Sequence, residues 1–221
     1  MPVIKGSSYN VSLLAVLIGN ALLFVIFTFG DGHLPTEWSD TFARLRTMAP
    51  AGLGLILVGV LNSQLGPNTK ARIIFTRWRH PLPGSRAFSE FAPADPRIDM
   101  AALEGKLGPF PTAPLDQNRT WYGLYRSVEN DPFVLGIHKD YLFFRDYGVG
   151  AVVMFIVLSP IAAWLAVHWQ SAAIYALLLA LQAVLVVRAA RERGERFVTT
   201  VLAIVASGRP STDTRKSPGK R

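Results

Sequence analysis

The chain has no cysteine. That excludes disulfides, thiolate metal sites, cysteine nucleophiles and iron–sulfur ligation, and it leaves the redox compartment unread. Charge is scarce as well: 17% of residues are charged and 50% are hydrophobic, a balance suited to a polytopic membrane protein. Four stretches, Val11–Phe29, Met48–Leu65, Val149–Trp169 and Ser171–Val187, contain no Lys, Arg, Asp or Glu. Only His168 within them titrates near neutral pH. Without ionisable groups at depth, proton-coupled transport, voltage sensing and intramembrane proteolysis lose the residues they need. Glycine-rich phosphate loops, Gly-x-Ser-x-Gly elbows and kinase motif sets are missing, as is a transporter-like internal repeat. No motif asks for a cofactor or a metal.

What is present is enough apolar length to cross a bilayer four times, since about 20 residues at 1.5 Å each span a hydrocarbon core of roughly 30 Å. The first stretch is longer than a signal-peptide core and has no small-x-small cleavage pattern, so it reads as an uncleaved anchor. Basic residues set the orientation. Between the first two stretches there are only Arg44 and Arg46, against Asp31, Glu37 and Asp40. Gly66 to Tyr147 carries eleven Lys/Arg and nine acids, and the chain after Val187 carries nine and three. Both segments therefore belong inside, and four crossings return the N-terminus, with Lys5, to the same side.

The expected fold is all-α: a four-helix transmembrane bundle with a small helical cytoplasmic domain. Its order is a cytoplasmic N-terminus (1–10), a first crossing (11–29), an external loop (30–47) and a second crossing (48–65). The cytoplasmic loop domain (66–147) follows, then the third and fourth crossings (148–169 and 171–187). A cytoplasmic basic and amphipathic helix (188–206) and a disordered basic tail (207–221) close the chain. Trp38 and Phe42 read as interfacial anchors of the external loop. Gly52, Gly54 and Gly59 make the second crossing the expected packing helix. Pro160, after Ser159, should kink the third.

Within the loop domain, Arg72–Thr76 reads as a short strand or an extension of the second crossing, and His80-Pro81-Leu82-Pro83-Gly84 as a break. Asp95-Pro96 and Asp131-Pro132 each pair an N-cap carboxylate with proline at the first helical position. They predict helices from Pro96 to Leu107 and from Pro132 into the third crossing. Apolar spacing predicts another over Leu115–Glu129. Trp121, Tyr122, Tyr125, Phe133, Tyr141, Phe143 and Phe144 form the expected core. About 80 residues make a small core, so a neighbouring subunit, a partner or the C-terminal helix should complete it.

Three sets of residues are candidates for function. Lys70, Arg72, Arg77, Arg79, Arg188 and Arg191 suit anionic lipid headgroups or an anionic ligand, with nucleic acid, stacked on Trp78, the less favoured partner. Trp121, Tyr122, Tyr125 and Arg126 suit a protein-docking patch. Asn20, Ser159 and Gln182, the deepest polar side chains, suit a pore lining or helix packing. His138 with Asp140 or Asp146 is the nearest approach to a catalytic set, yet His138 and Asp140 stand about 200° apart on a helix.

The favoured expectation is a non-enzymatic, homo-oligomeric scaffold or sensor of a bacterial-type inner membrane, recruiting a soluble cytoplasmic protein. An oligomeric channel or membrane-perturbing effector is the alternative, and a membrane-bound enzyme using His138 comes third.

Overall fold

The computed structural model describes residues 56–166 and 168–208, together with 15–16, 18–20, 22–24, 26 and 52–54. The N-terminal segment 1–10, the external loop 30–47 with Trp38 and Phe42, and the tail after residue 208 lie outside the described residues. All regular structure that is described is helical. Helix α1 (Pro67–Phe75) follows the helical residues of Gly52–Gln64. A 3-10 turn (Pro83–Arg86), a π turn (Ala87–Phe91) and one α turn (Ala92–Ala94) come next. Then come α2 (Met100–Leu107), α3 (Pro114–Val128), α4 (Pro132–Leu165) and α5 (Trp169–Ser207). The 72–76 segment is thus helical as far as Phe75 and not a strand.

The chain forms two compact units, one from Met1–Lys70 and Phe143–Ala189, the other from Ala71–Leu142 and Ala190–Arg221. Helices α4 and α5 contribute residues to both.

The first unit buries Phe24, Val58, Met154, Leu158, Tyr175 and Leu179, with Phe24 edge-on to Tyr175 at 5.6 Å. Its outer surface is also apolar: Leu22 is 60% exposed, Leu53 66%, Ile156 64% and Leu177 69%, one example from each long apolar stretch. Of the three glycines, Gly54 is the close-packing one. A Cβ there would lie 3.0 Å from Leu158 Cδ2, whereas at Gly52 or Gly59 it would meet nothing within 4 Å. Helix α4 continues through Pro160 to Leu165. Helix α4 ends at Leu165 and α5 begins at Trp169, so Trp169 opens the returning helix instead of closing the outgoing one.

The second unit is held by specific polar ties as much as by apolar burial. Asp131 caps α4, accepting from the Phe133 and Val134 backbone N–H groups at 2.8 and 3.4 Å. Asp95 does not start a helix. Its carboxylate takes up Arg97 instead, accepting from the Arg97 backbone N–H at 3.0 Å and from Nη2 at 2.6 Å. The cap of α2 is Asp99, which accepts from Ala102 N at 2.9 Å. Gly108 stops α2 with φ 76°, a left-handed value that favours glycine.

The C-terminal half of α5 completes this unit's core. Phe197, Val198, Val201 and Leu202 are all buried. The expected separate amphipathic helix is continuous with the fourth apolar stretch, because no proline separates the two and Ala-Arg-Glu residues favour helix. Gly194 permits the close approach: a Cβ there would sit 2.8 Å from Phe75 Cζ and 3.0 Å from Tyr141 Cε2. The expected break ends at Leu82, since Pro83 and Gly84 open the 3-10 turn, and Gly84 also permits a close approach. A Cβ on Gly84 would lie 2.6 Å from Asn118 Oδ1 and 2.7 Å from Trp121 Cε3. The expected aromatic core is only partly realised: Trp121 and Tyr141 are buried, but Tyr122 and Phe133 are 53% and 62% exposed. Phe143 and Phe144 belong to the first unit.

The Asp95–Arg97 tie makes an acid-stability prediction. The Arg97 side-chain hydrogen bonds hold the Asp95 carboxyl well below the usual carboxylate range, aided by the Arg97 backbone N–H and Thr199, while partial burial opposes them. A group depressed below its unfolded value of about 3.9 binds fewer protons when folded. Its stabilisation is complete above about pH 4 and is lost as pH falls through the folded value. Asp95→Asn should therefore flatten the fall in stability between about pH 4 and pH 2, measured by thermal unfolding across that range.

Candidate functional site

The first unit contains the more informative site, because charge is buried there among apolar side chains. Lys70 stands five residues past the second apolar stretch and Asp146 three before the third. Lys70 Nζ lies 2.9 Å from Asp146 Oδ1, with the two side chains only 10% and 15% exposed. Arg145 shares that oxygen, its Nε and Nη2 each at 2.9 Å. Asn62 Nδ2 donates to the Asp146 backbone oxygen at 3.1 Å, while Asn62 Oδ1 is buried with no hydrogen-bond partner among the described residues.

A cavity of about 240 Å³ adjoins this cluster. Lys70, Asp146, Asn62, Ser63 and Tyr147 line its polar side, and Val16, Val58 and Met154 its apolar side. Gly59 and Gly150 complete the wall. Tyr147 is positioned in turn by Gln182, whose Nε2 donates to the phenol oxygen at 3.0 Å. Helical geometry explains the arrangement: Val58 and Gly59 each lie about one turn from Asn62, and Asp146, Gly150 and Met154 follow one another at successive turns of one face.

Of the candidate pore residues, Asn20 is buried and donates to its own helix at Val16 O, 2.9 Å away. Ser159 Oγ is buried without a hydrogen-bond partner among the described residues. Gln182 belongs to the cavity network through Tyr147. All of these lie in the first unit.

The second unit centres on Phe197. His138 stacks on it at 4.7 Å and 5°, and Trp121, Tyr125 and Tyr141 lie around it at 5.2, 5.3 and 5.9 Å. The Tyr125 hydroxyl is 3.1 Å from His138 Nδ1. Burial pushes the Tyr125 phenol up, with Glu129 adding to the effect. The phenol therefore keeps its proton, and which of the two groups donates is set by the imidazole tautomer. Asp140 lies instead 4.0 Å from Arg193, so His138 and Asp140 engage different neighbours. Asp146 belongs to the first unit. Among the described residues, no three His, Asp or Glu side chains converge as a metal set would.

The expected docking patch divides. Trp121 points inward, its Nε1 donating to Val198 O at 3.3 Å, and Tyr125 is occupied by His138. Tyr122 and Arg126 face out, Arg126 paired with Glu129 at 2.7 Å. The basic set divides too. Lys70 is buried on Asp146, and Arg191 donates to Ile74 O and, at 3.2 Å, to Thr76 Oγ1, closing the C-terminus of α1. Arg72, Arg79 and Arg188 are exposed, and Arg77 stands 3.6 Å from Glu90. Trp78, between Arg77 and Arg79, is 83% exposed.

Sequence reasoning missed the Lys70–Asp146–Asn62 cluster. The available signal was the polar ending Asn62-Ser63-Gln64 of an otherwise apolar stretch. It also missed Gln117, buried in α3, whose Oε1 accepts from Phe88 N, Ser89 N and Ser89 Oγ at 3.1, 3.2 and 3.1 Å.

No protein-family model, no curated protein and no solved structure matches this chain. Its class therefore rests on its own fold: an all-helical protein with two helices, α4 and α5, long and apolar enough to cross a membrane.

Proposed function

We propose that the chain is a non-enzymatic integral membrane scaffold or sensor, homo-oligomeric, with four crossings and both termini inside. Its second unit would recruit a soluble cytoplasmic partner through the outward face of α3 around Tyr122 and Arg126. The observation that supports this best is the apolar exterior of the first unit. Large aliphatic side chains lie exposed on all four apolar stretches, and the most apolar windows of α4 and α5 are only 39% and 28% buried. Monomers in water rarely expose contiguous apolar patches of more than a few hundred Å², whereas in lipid an apolar exterior carries no such cost. Exposed Arg72, Arg79 and Arg188 suit an anionic inner leaflet, each worth about 1 kcal/mol near the surface.

The lack of native cysteine makes the test simple. A single cysteine at Tyr122 should stay unlabelled by a membrane-impermeant maleimide in intact cells and label fully after permeabilisation. Labelling in intact cells would overturn the topology. A photocrosslinker at position 122 should give one discrete adduct with a soluble protein. No adduct from either 122 or 126 would remove the recruiting role.

A channel is the second reading, supported by the buried, unpartnered Asn20 Oδ1 and Ser159 Oγ within the first unit. Unchanged membrane potential at high expression would eliminate it.

A further inference from the structure

We infer that the cavity beside Lys70 and Asp146 binds a single acyl chain carrying an anionic phosphate or carboxylate head. This rests on the lipid-embedded reading of the first unit and names the ligand of its site.

The two sides of the cavity ask for the two ends of such a molecule. Lys70 is buried to 8% exposure and uses one of its three N–H donors on Asp146. Asp146 Oδ1 is shared between Lys70 and Arg145, both at 2.9 Å. The single carboxylate oxygen thus divides its attraction between two cations, and an oxyanion placed at Lys70 Nζ gains a charge-assisted hydrogen bond in a low-dielectric site. Asn62 Oδ1, buried and without a partner among the described residues, offers an acceptor for a hydroxyl or acid proton on the same head. A buried acceptor left unmatched is costly, so a ligand that supplies its donor is favoured.

The opposite side is formed by Val16, Val58 and Met154, whose side chains offer water no hydrogen bond. A water cluster needs two to four polar partners per molecule and suits only the polar end. Methylenes suit the apolar end. The volume of about 240 Å³ is just below the usual range for small-molecule sites. It admits a head and the first part of one chain, not a two-chain lipid. Gly59 lines the cavity, and a Cβ there would meet nothing within 4 Å among the described residues, so a larger side chain has room at this wall.

The test uses the full chain purified in detergent, with native mass spectrometry and thermal unfolding as readouts. The probes are palmitoyl-lysophosphatidylglycerol, palmitate, zwitterionic palmitoyl-lysophosphatidylcholine and inorganic phosphate. Lysophosphatidylglycerol, palmitate or both should form a saturable one-to-one adduct and raise the unfolding midpoint; which of them does so identifies the source of the head. Gly59→Leu fills the cavity without touching the ion pair and should abolish the adduct while the protein stays folded. Lys70→Met should weaken binding by about tenfold or more, and Lys70→Arg should retain it. Equal binding of the zwitterionic lipid, binding of phosphate alone, or an unaltered adduct in Gly59→Leu would overturn the inference. Failure here is separable from failure of the membrane reading. A chain that needs detergent yet takes up no anionic amphiphile defeats only this inference, whereas one that dissolves without detergent defeats the reading beneath it.

Discussion

Replacing Asp146 with alanine should lower the stability of the protein by about 3–5 kcal/mol, the cost of removing one partner from a buried ion pair. The side chains of Lys70, Asp146 and Arg145 are 10%, 15% and 16% exposed, so solvent replaces only a small part of what the missing carboxylate supplied. Asp146→Ala strands two cations, whereas Lys70→Met leaves Arg145 on the carboxylate, so the aspartate variant should lose more. The double change Lys70→Met with Asp146→Leu removes the desolvated pair and adds apolar volume beside Val58 and Met154. It should recover much of the loss, because hydrophobic replacements of buried pairs are often neutral or stabilising. Unfolding of the detergent-solubilised protein by a denaturing surfactant, followed by circular dichroism, measures all three. An ordinary exposed ion pair contributes only about 0–1 kcal/mol. Single-variant losses within that range would mean that water reaches the cluster and that the polar end of the cavity is open.

The sequence made the apolar architecture legible because the signal is a run, and runs need no partner to be read. The long helix from Asp131-Pro132, the helix over 114–128 and the immediate return into the last apolar stretch all follow from local rules of capping, spacing and turn length. What stayed hidden depends on pairs distant in sequence. Lys70 and Asp146 are 76 residues apart, and each alone looks like a flanking charge at a membrane edge. Gln117 looks like one more polar residue on α3 until the π turn brings Phe88 and Ser89 to it. Asp95 was misleading for another reason: it satisfies the N-cap rule, but Arg97 competes for the same carboxylate, and Asp99 offers a second cap four residues on. The division of the docking set between inward and outward faces was hidden similarly. Aromatic identity does not say which ring turns inward, and Trp121 is buried because Gly84 lets the chain close over it.

Phe197→Ala should have the largest effect in the second unit, lowering stability by about 3–5 kcal/mol, as aromatic-to-alanine changes in a packed core do. Phe197 is 4% exposed and is ringed by His138, Trp121, Tyr125 and Tyr141. Truncation opens a cavity in a core of limited size, where little else can collapse to fill it. Phe197→Leu keeps most of the volume but loses the stack on His138 and the edge contacts, each aromatic pair being worth about 0.5–1.5 kcal/mol beyond its area. Its loss should be smaller than that of alanine but still measurable. A second readout separates local loosening from global loss. Burial is the main reason the Tyr125 phenol titrates above its ordinary value, so admitting water at position 197 should bring it back toward the normal tyrosine range. Ultraviolet titration of Phe197→Leu against Phe197→Leu with Tyr125→Phe isolates that one phenol. If it titrates unchanged while stability falls, Phe197 supports the helix packing without shielding the Tyr125–His138 pair. The C-terminal half of α5 would then brace this core, not seal it.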